Sequence, residues 1–157
     1  MKLVKTNHSI VTFILLSIIT LGIYGLYYIY ILADDVNTMC ADDGKETAGL
    51  FMYILLSIVT CGIYSIVWWH GVCERVGRAA ARRNIQQAEI SGNTFLLWFL
   101  LSLFVCNLIV YIAYHKLLEA CNAVGAEYNN CVQSGVNPFA AVNNFDVPPI
   151  NDDFWQS

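Results

Sequence analysis

An eleven-residue segment occurs twice in this chain, forty positions apart. Residues 14–24 read ILLSIITLGIY and residues 54–64 read ILLSIVTCGIY, with nine of eleven positions identical. Repetition at a fixed period indicates that one structural unit is used more than once, each copy packing against the next. The chain is therefore constrained to an architecture of equivalent apolar units.

A third and more diverged copy follows at a spacing of 45 residues. It aligns Leu55 with Leu100, Ser57 with Ser102, Cys61 with Cys106, His70 with His115 and Glu74 with Glu119. The repeating unit is about forty residues long and consists of an apolar segment, an acidic exit and a polar connector.

The apolar segments are free of charge. Residues 10–33, 50–69 and 94–114 contain no Asp, Glu, Lys or Arg, in a chain that is 57% hydrophobic and 13% charged. As a helix, the first would be about 36 Å long, against about 30 Å for the hydrocarbon core of a bilayer. The sequence therefore predicts an all-α integral membrane protein with three transmembrane helices, at about 9–33, 50–73 and 94–118, joined by short connectors.

The predicted membrane domain covers residues 1–131, and residues 132–157 differ from it in composition. This last segment holds all three prolines, several asparagines and three aspartates, with no Lys or Arg. Such a composition is typical of a flexible tail. The first apolar segment is too long for a signal peptide, and we expect it to be retained.

The distribution of Lys and Arg predicts an orientation. With three crossings, the N-terminus and second connector carry six cations and the other side carries two. The positive-inside rule then places the N-terminus in the cytoplasm and the C-terminus outside. An alternative stays open, in which Gly22 and Gly62 break the spans into helical hairpins that re-enter one face, and the count would then not apply.

Small and weakly polar residues lie near the middle of each apolar segment. Such residues let helices approach closely in membranes, and we interpret them as a helix-packing motif. The set comprises Ser17, Thr20, Gly22, Ser57, Thr60, Gly62, Ser102, Cys106 and Asn107.

Four arginines follow the second apolar segment: Arg75, Arg78, Arg82 and Arg83. A cluster of this kind next to a membrane segment is a candidate contact for anionic lipid. The alternative is that these side chains are solvated and only determine the orientation.

We expect no enzyme, cofactor, metal site or nucleic-acid surface. The chain lacks the motifs of nucleophilic, zinc-dependent and nucleotide-binding sites, and its eight Lys and Arg are few for nucleic acid. Six cysteines are present without a C-x-x-C pair, and a disulfide from Cys40 to Cys121 or Cys131 stays an open alternative.

The segments TLGIYGLYYIY and TCGIYSIVWWH contain a repeated T-x-G-I-Y motif followed by aromatic residues. With the acidic exit after the first copy and the ending LLEACNAVGAEYN of the third, they resemble a bacterial membrane family known as domain of unknown function 4234. The resemblance covers about residues 5–130, although Asn107 and Leu108 replace the Gly-Ile pair in the third unit. It implies a bacterial inner-membrane location and brings no reaction, ligand or catalytic residue.

The function predicted from these features is that of a small interaction or accessory subunit of the bacterial cytoplasmic membrane. Its expected partners are the lipid bilayer and either further copies of itself or another membrane protein. The alternatives are a homo-oligomeric channel or transporter with a polar mid-membrane pathway, and a lipid-sensing envelope protein.

Overall fold

The computed structural model describes residues 2–85, 90–104 and 110–140. In these residues the chain forms six α-helices: α1 (Ile10–Ile19), α2 (Ile23–Met39), α3 (Leu50–Val59), α4 (Ile63–Arg82), α5 (Gly92–Phe104) and α6 (Val110–Gln133). A short 3-10 turn, Ala41–Asp43, follows α2. The helices form three packed pairs, α1 with α2, α3 with α4, and α5 with α6.

The prediction of three membrane-spanning helices is wrong for this structure. None of the helices within the described ranges is both long enough and apolar enough to cross a membrane. The predicted spans 9–33 and 50–73 are each divided into two helices. The predicted span 94–118 is shared between α5 and α6, and residues 105–109 between them lie outside the described residues.

A left-handed glycine turn divides each of the first two segments. Gly22 has a φ of +92° and Gly62 a φ of +91°, in a region that other residues enter at a cost of about 1–2 kcal/mol. The Thr20 hydroxyl donates to the carbonyl of Leu16 (2.7 Å) and accepts from the N–H of Tyr24 (2.9 Å). The breaks at Gly22 and Gly62, which the sequence analysis gave as an alternative, are thus confirmed. Their entry into one face of a membrane stays a prediction.

The second helices of the three pairs form the centre of the molecule. Helices α2, α4 and α6 contact one another, and Leu32, Val72 and Leu117, which share one repeat position, are all fully buried between them. Ion pairs join the C-terminal parts of these helices, from Arg82 to Asp42 and from Arg83 to Glu127. The three central helices therefore run in the same direction.

The first helices lie outside this centre in a cyclic arrangement. Each packs against its own partner and also against the central helix of the preceding pair: α3 against α2, α5 against α4, and α1 against α6. The last of these contacts joins the first pair to the third. The three units consequently form a closed ring with approximate threefold symmetry.

The segment before the first pair completes this ring. The side-chain amide of Asn122 accepts from the backbone N–H of His8 (2.8 Å) and donates to its carbonyl (2.9 Å). Asn129, seven residues further along α6, bonds in the same way to Val4 (2.9 and 2.8 Å). Gly125 lies between them, where an added Cβ would come within 3.1 Å of the Val4 side chain.

The same contact recurs between the other units. Asn37, at the repeat position of Asn122, bonds in both directions to the backbone of Thr47 ahead of the second pair (2.9 and 2.6 Å). The middle unit has Gly77 at this position, and an added Cβ there would come within 1.8 Å of the carbonyl oxygen of Ile90. Each central helix thus holds the segment that leads into the following pair.

These contacts join parts of the chain that three crossings would place on opposite sides. Residues 2–9 were predicted inside and the end of the third span outside, yet the two bond directly. The side assignment was derived from three crossings, and no helix of the described residues is able to make one. The location of the two ends stays a prediction.

We expect Gly22→Val to lower the free energy of unfolding by about 2 kcal/mol, because a branched side chain is strained in the left-handed region. The control is Gly25→Ala, where the added Cβ meets the Ser17 hydroxyl oxygen at an ordinary 3.7 Å. Thermal unfolding followed by circular dichroism in mild detergent measures both. Equal stability of the two variants would contradict the role of the turn.

Candidate functional site

Many exposed side chains of the described residues are apolar, most of them on α1, α3 and α5 and in the turns. Neither α1 nor α3 contains a buried residue, and Leu21, at the tip of the first turn, is 95% exposed. We call the following set of exposed side chains the apolar surface: Val11, Leu15, Ile18, Ile19, Leu21, Ile23, Phe51, Leu55, Ile58, Val59, Ile63, Leu97, Leu100 and Leu101. Large exposed apolar areas mark interaction sites, because water-facing monomers rarely carry them.

The backbone N–H groups of the two described turns are all bonded. Every N–H from Thr20 to Leu26 donates to an oxygen of the first helix pair, and every N–H from Thr60 to Ser65 to an oxygen of the second. A turn exposed to water does not need internal hydrogen bonds for every N–H group, because water can accept from the free ones. The hydroxyls of Thr20 and Thr60 supply the one acceptor in each turn that the backbone lacks.

The predicted packing residues act within helix pairs. Ser57 and Ser65 place their hydroxyl oxygens 3.0 Å apart, joining α3 to α4. Ser102 donates to the carbonyl of Phe99 in the same helix (2.6 Å). Thr20, Gly22, Thr60 and Gly62 form the turns, so their contribution is to reverse the chain.

The remaining predicted packing positions divide into two cases. Ser17 lies on α1 facing Gly25 of α2, and its hydroxyl oxygen is buried without a hydrogen-bond partner among the described residues. Cys106 and Asn107 lie outside the described residues.

At the opposite end of the central helices, Arg75 lies in a network of oxygens and is only 8% exposed. Its Nε and Nη2 donate to the two carboxylate oxygens of Asp43 (2.7 and 2.9 Å), and its Nη1 donates to Asn37 Oδ1 and Thr47 Oγ1 (both 2.7 Å). Nη2 also donates to the carbonyl of Lys45 (2.6 Å). The planar guanidinium thereby joins α4 to the connector between the first two pairs.

The other three arginines also face carboxylates of this chain at 2.7 Å: Arg78 faces Glu74, Arg82 faces Asp42 and Arg83 faces Glu127. The last two are charge contacts whose angles fall outside hydrogen-bond geometry. The side chains of all four arginines are thus mostly covered by other residues. This differs from the alternative of the sequence analysis, in which the arginines are solvated and only determine the orientation. Their contact with anionic lipid stays a prediction.

Glu74 also links α4 to α5. Burial by itself would raise the pKa of this carboxyl, but the N–H of Gly92 (2.8 Å) and the Arg78 guanidinium outweigh it and hold the pKa below its usual range. The lowered pKa means that the contact stabilises the fold above the ordinary pKa of a glutamate. That stabilisation is lost when acid protonates the folded protein.

A buried polar cluster near the N-terminus carries no sequence signal. His8 lies with its Nδ1 2.9 Å from the hydroxyl of Tyr28 and its Nε2 3.4 Å from Asp35. The second oxygen of Asp35 accepts from the backbone N–H of Lys5 (3.2 Å). The partners are 20 and more residues apart, so only the fold brings them together. Their effect is to attach residues 5–8 to α2.

Three of the described cysteines, Cys40, Cys73 and Cys121, are buried in the manner of packing residues. The five that the structure describes are free: Cys40, Cys61, Cys73, Cys121 and Cys131. Burial raises the pKa of Cys40 to about 12 and also raises those of Cys73 and Cys121. These three thiols stay protonated at neutral pH and are poor nucleophiles. The described ranges also contain no group of three His, Cys, Asp or Glu side chains placed to hold a metal ion.

The structure thus defines a ring of three helix pairs with an apolar surface at the turn end and an ion-paired network at the other. Over residues 8–53 and 48–123 the chain matches the family model described as Domain of unknown function (DUF4234), and it belongs to that family. No curated protein and no solved structure matches the chain.

We expect Arg75→Met to lower the free energy of unfolding by about 3–5 kcal/mol, because Asp43 would be left buried without its partner. The matched control is Arg78→Gln, which removes an i,i+4 pair within one helix and should cost about 0.3–0.5 kcal/mol. Denaturant unfolding in mild detergent distinguishes the two. A small loss for Arg75→Met would mean that the network contributes little to stability.

Proposed function

We propose that this chain is a lipid-surface protein whose three helix pairs enter one leaflet of a membrane from one side, without crossing it. The observation that carries the proposal is the turn at Gly22 and its copy at Gly62. Each combines exposed apolar side chains with backbone N–H groups that all donate within their own helix pair. Hydrocarbon requires both properties, because an unpaired N–H there costs several kcal/mol.

The dimensions of the apolar surface support one leaflet as the occupant. Helices α1 and α3 have ten residues each, which corresponds to a length of about 15 Å. Half of a bilayer's hydrocarbon core is also about 15 Å thick.

The charges favour the cytoplasmic face of a bacterial inner membrane. If the helix pairs enter from one side, all eight Lys and Arg lie on that side, since residues 10–33, 50–69 and 94–114 carry none. The positive-inside rule then favours the cytoplasm for the whole polar end. In this arrangement the C-terminal end of α6 is cytoplasmic as well, in place of the earlier outside assignment.

Within this proposal, the accessory role predicted from sequence consists in presenting the polar end at the membrane surface. A channel is the less favoured alternative, because the hydroxyls of Thr20 and Thr60, assigned to its pathway, are engaged inside the turns. Coverage of the apolar surface by a second copy of the chain is an outcome that the following experiment distinguishes.

We expect Leu21→Asp to reduce binding to vesicles of phosphatidylethanolamine and phosphatidylglycerol at least tenfold. A carboxylate at the bilayer centre costs about 2.5–3.5 kcal/mol, and Asp tolerates the positive φ of +52° at this position. Purified protein is diluted from detergent into vesicles and bound protein is measured by flotation.

The matched control for this experiment is Val136→Asp, which adds the same charge at an exposed apolar residue near the polar end. It should float like the wild type. If the wild type does not float but forms a closed oligomer that Leu21→Asp dissociates, the surface is an interface between copies and the proposal is wrong.

A second experiment tests the single side of entry. Lys2→Cys and Val136→Cys are each compared with the parent chain for labelling by a membrane-impermeant maleimide. Both positions should react in inverted membrane vesicles and neither in intact spheroplasts. Reaction of the two on opposite faces would exclude entry from one side.

A further inference from the structure

A groove of about 700 Å³ lies along α4, between the connector 43–48 and the start of α5. Its volume falls in the range of small-molecule sites, about 300–1,000 Å³. At one end its walls are apolar, with Val67 and Leu96; at the other they are charged, with Lys45, Glu46 and Arg78. The groove is therefore amphipathic along its length.

The groove depends on a glycine that only the middle unit has. A Cβ added at Gly71 would meet no atom within 4 Å, so this helical position opens onto empty space. The first unit has Ile31 at the same repeat position and the third has Lys116. Since larger side chains occupy the equivalent places, the opening is specific to the second helix pair and does not follow from the repeat itself.

The direction of the groove matches the proposed orientation of the molecule. Val67, Gly71, Glu74 and Arg78 follow one another at spacings of four, three and four, and so lie on one face of α4. From Tyr64, next to the turn, to Arg78 the helix rises about 21 Å. The apolar end of the groove thus lies toward the turns and the charged end toward the polar network.

Both signs of charge are available at the charged end. Arg78 gives Glu74 its Nε and Nη2 groups, which leaves further N–H groups of its guanidinium for another acceptor. His70, one helical turn before Glu74, also lines the groove, and the lining residue Glu46 is exposed. A ligand that fits has an anionic group close to a cationic one, and an apolar chain attached to them.

We infer that the groove binds one glycerophospholipid with a zwitterionic headgroup. The phosphate lies against Arg78 and His70, the ammonium group against Glu46, and an acyl chain runs past Gly71 toward the turns. The direction of the acyl chain rests on the proposed entry into one leaflet. The binding of a single lipid does not depend on that proposal.

The test is Gly71→Leu, whose side chain fills the groove, against Ala81→Leu, which adds the same side chain at an exposed position of the same helix. Delipidated protein in detergent is titrated with dioleoyl phosphatidylethanolamine or dioleoyl phosphatidylglycerol and analysed by native mass spectrometry. We expect one bound phosphatidylethanolamine per wild-type chain, at least threefold above phosphatidylglycerol. Gly71→Leu should reduce it at least tenfold and Ala81→Leu should leave it unchanged.

Equal binding of both lipids by the wild type, or unchanged binding by Gly71→Leu, would overturn the inference. Arg78→Gln, which leaves the groove open, should lower phosphatidylethanolamine binding several-fold and keeps the test valid if Gly71→Leu does not fold. Vesicle flotation separates the two proposals, because Gly71→Leu retains the apolar surface and should float like the wild type. A wild type that binds one lipid in detergent but does not float would overturn leaflet entry alone.

Discussion

The turn built from Thr20 and Gly22 determines the rest of this architecture. The glycine reverses the chain in a left-handed conformation, and the threonine hydroxyl accepts the N–H that the interrupted helix would leave free. The first two apolar segments can therefore fold back on themselves without leaving a backbone N–H of the turn unpaired. The repeat at Thr60 and Gly62 produces a second pair of the same shape, and equivalent pairs can close into a ring.

Closure of the ring relies on polar contacts at the end away from the turns. Asn37 and Asn122 bind the backbone of the segment that precedes another pair, and each supplies both a donor and an acceptor. The middle unit has an arginine where its neighbours have acidic residues: Asp42, Arg82 and Glu127 occupy the same position in the three units. The units are thus similar enough to pack equivalently and different enough to attract one another.

Sequence patterns predicted the helical class, the repeat and the breaks at Gly22 and Gly62, the last as an alternative. They failed on the three spans because hydropathy measures side chains. A turn in which Thr20 accepts the N–H of Tyr24 has the same hydropathy as a continuous helix. The alternation of charge at Asp42, Arg82 and Glu127 was visible in the repeat and could have indicated the ion pairs. The contact of His8 with Asp35 could not be found, because no local pattern relates residues that only ring closure brings together.

The turns lie at the apolar end of the molecule and the ion pairs at the other end. This separation explains how a repeat of one hydrophobic unit can contain a site that only one of its copies has. Substitutions in the two described turns are constrained by the positive φ of Gly22 and Gly62 and by the bonded N–H groups. Positions on the outer faces of the central helices are less constrained, since Ile31, Gly71 and Lys116 occupy equivalent places in one chain. The middle unit loses a side chain at this position and gains the groove beside α4. A position at which the copies of a repeat differ while their core residues agree therefore indicates where one unit has a feature that packing of the repeat does not require.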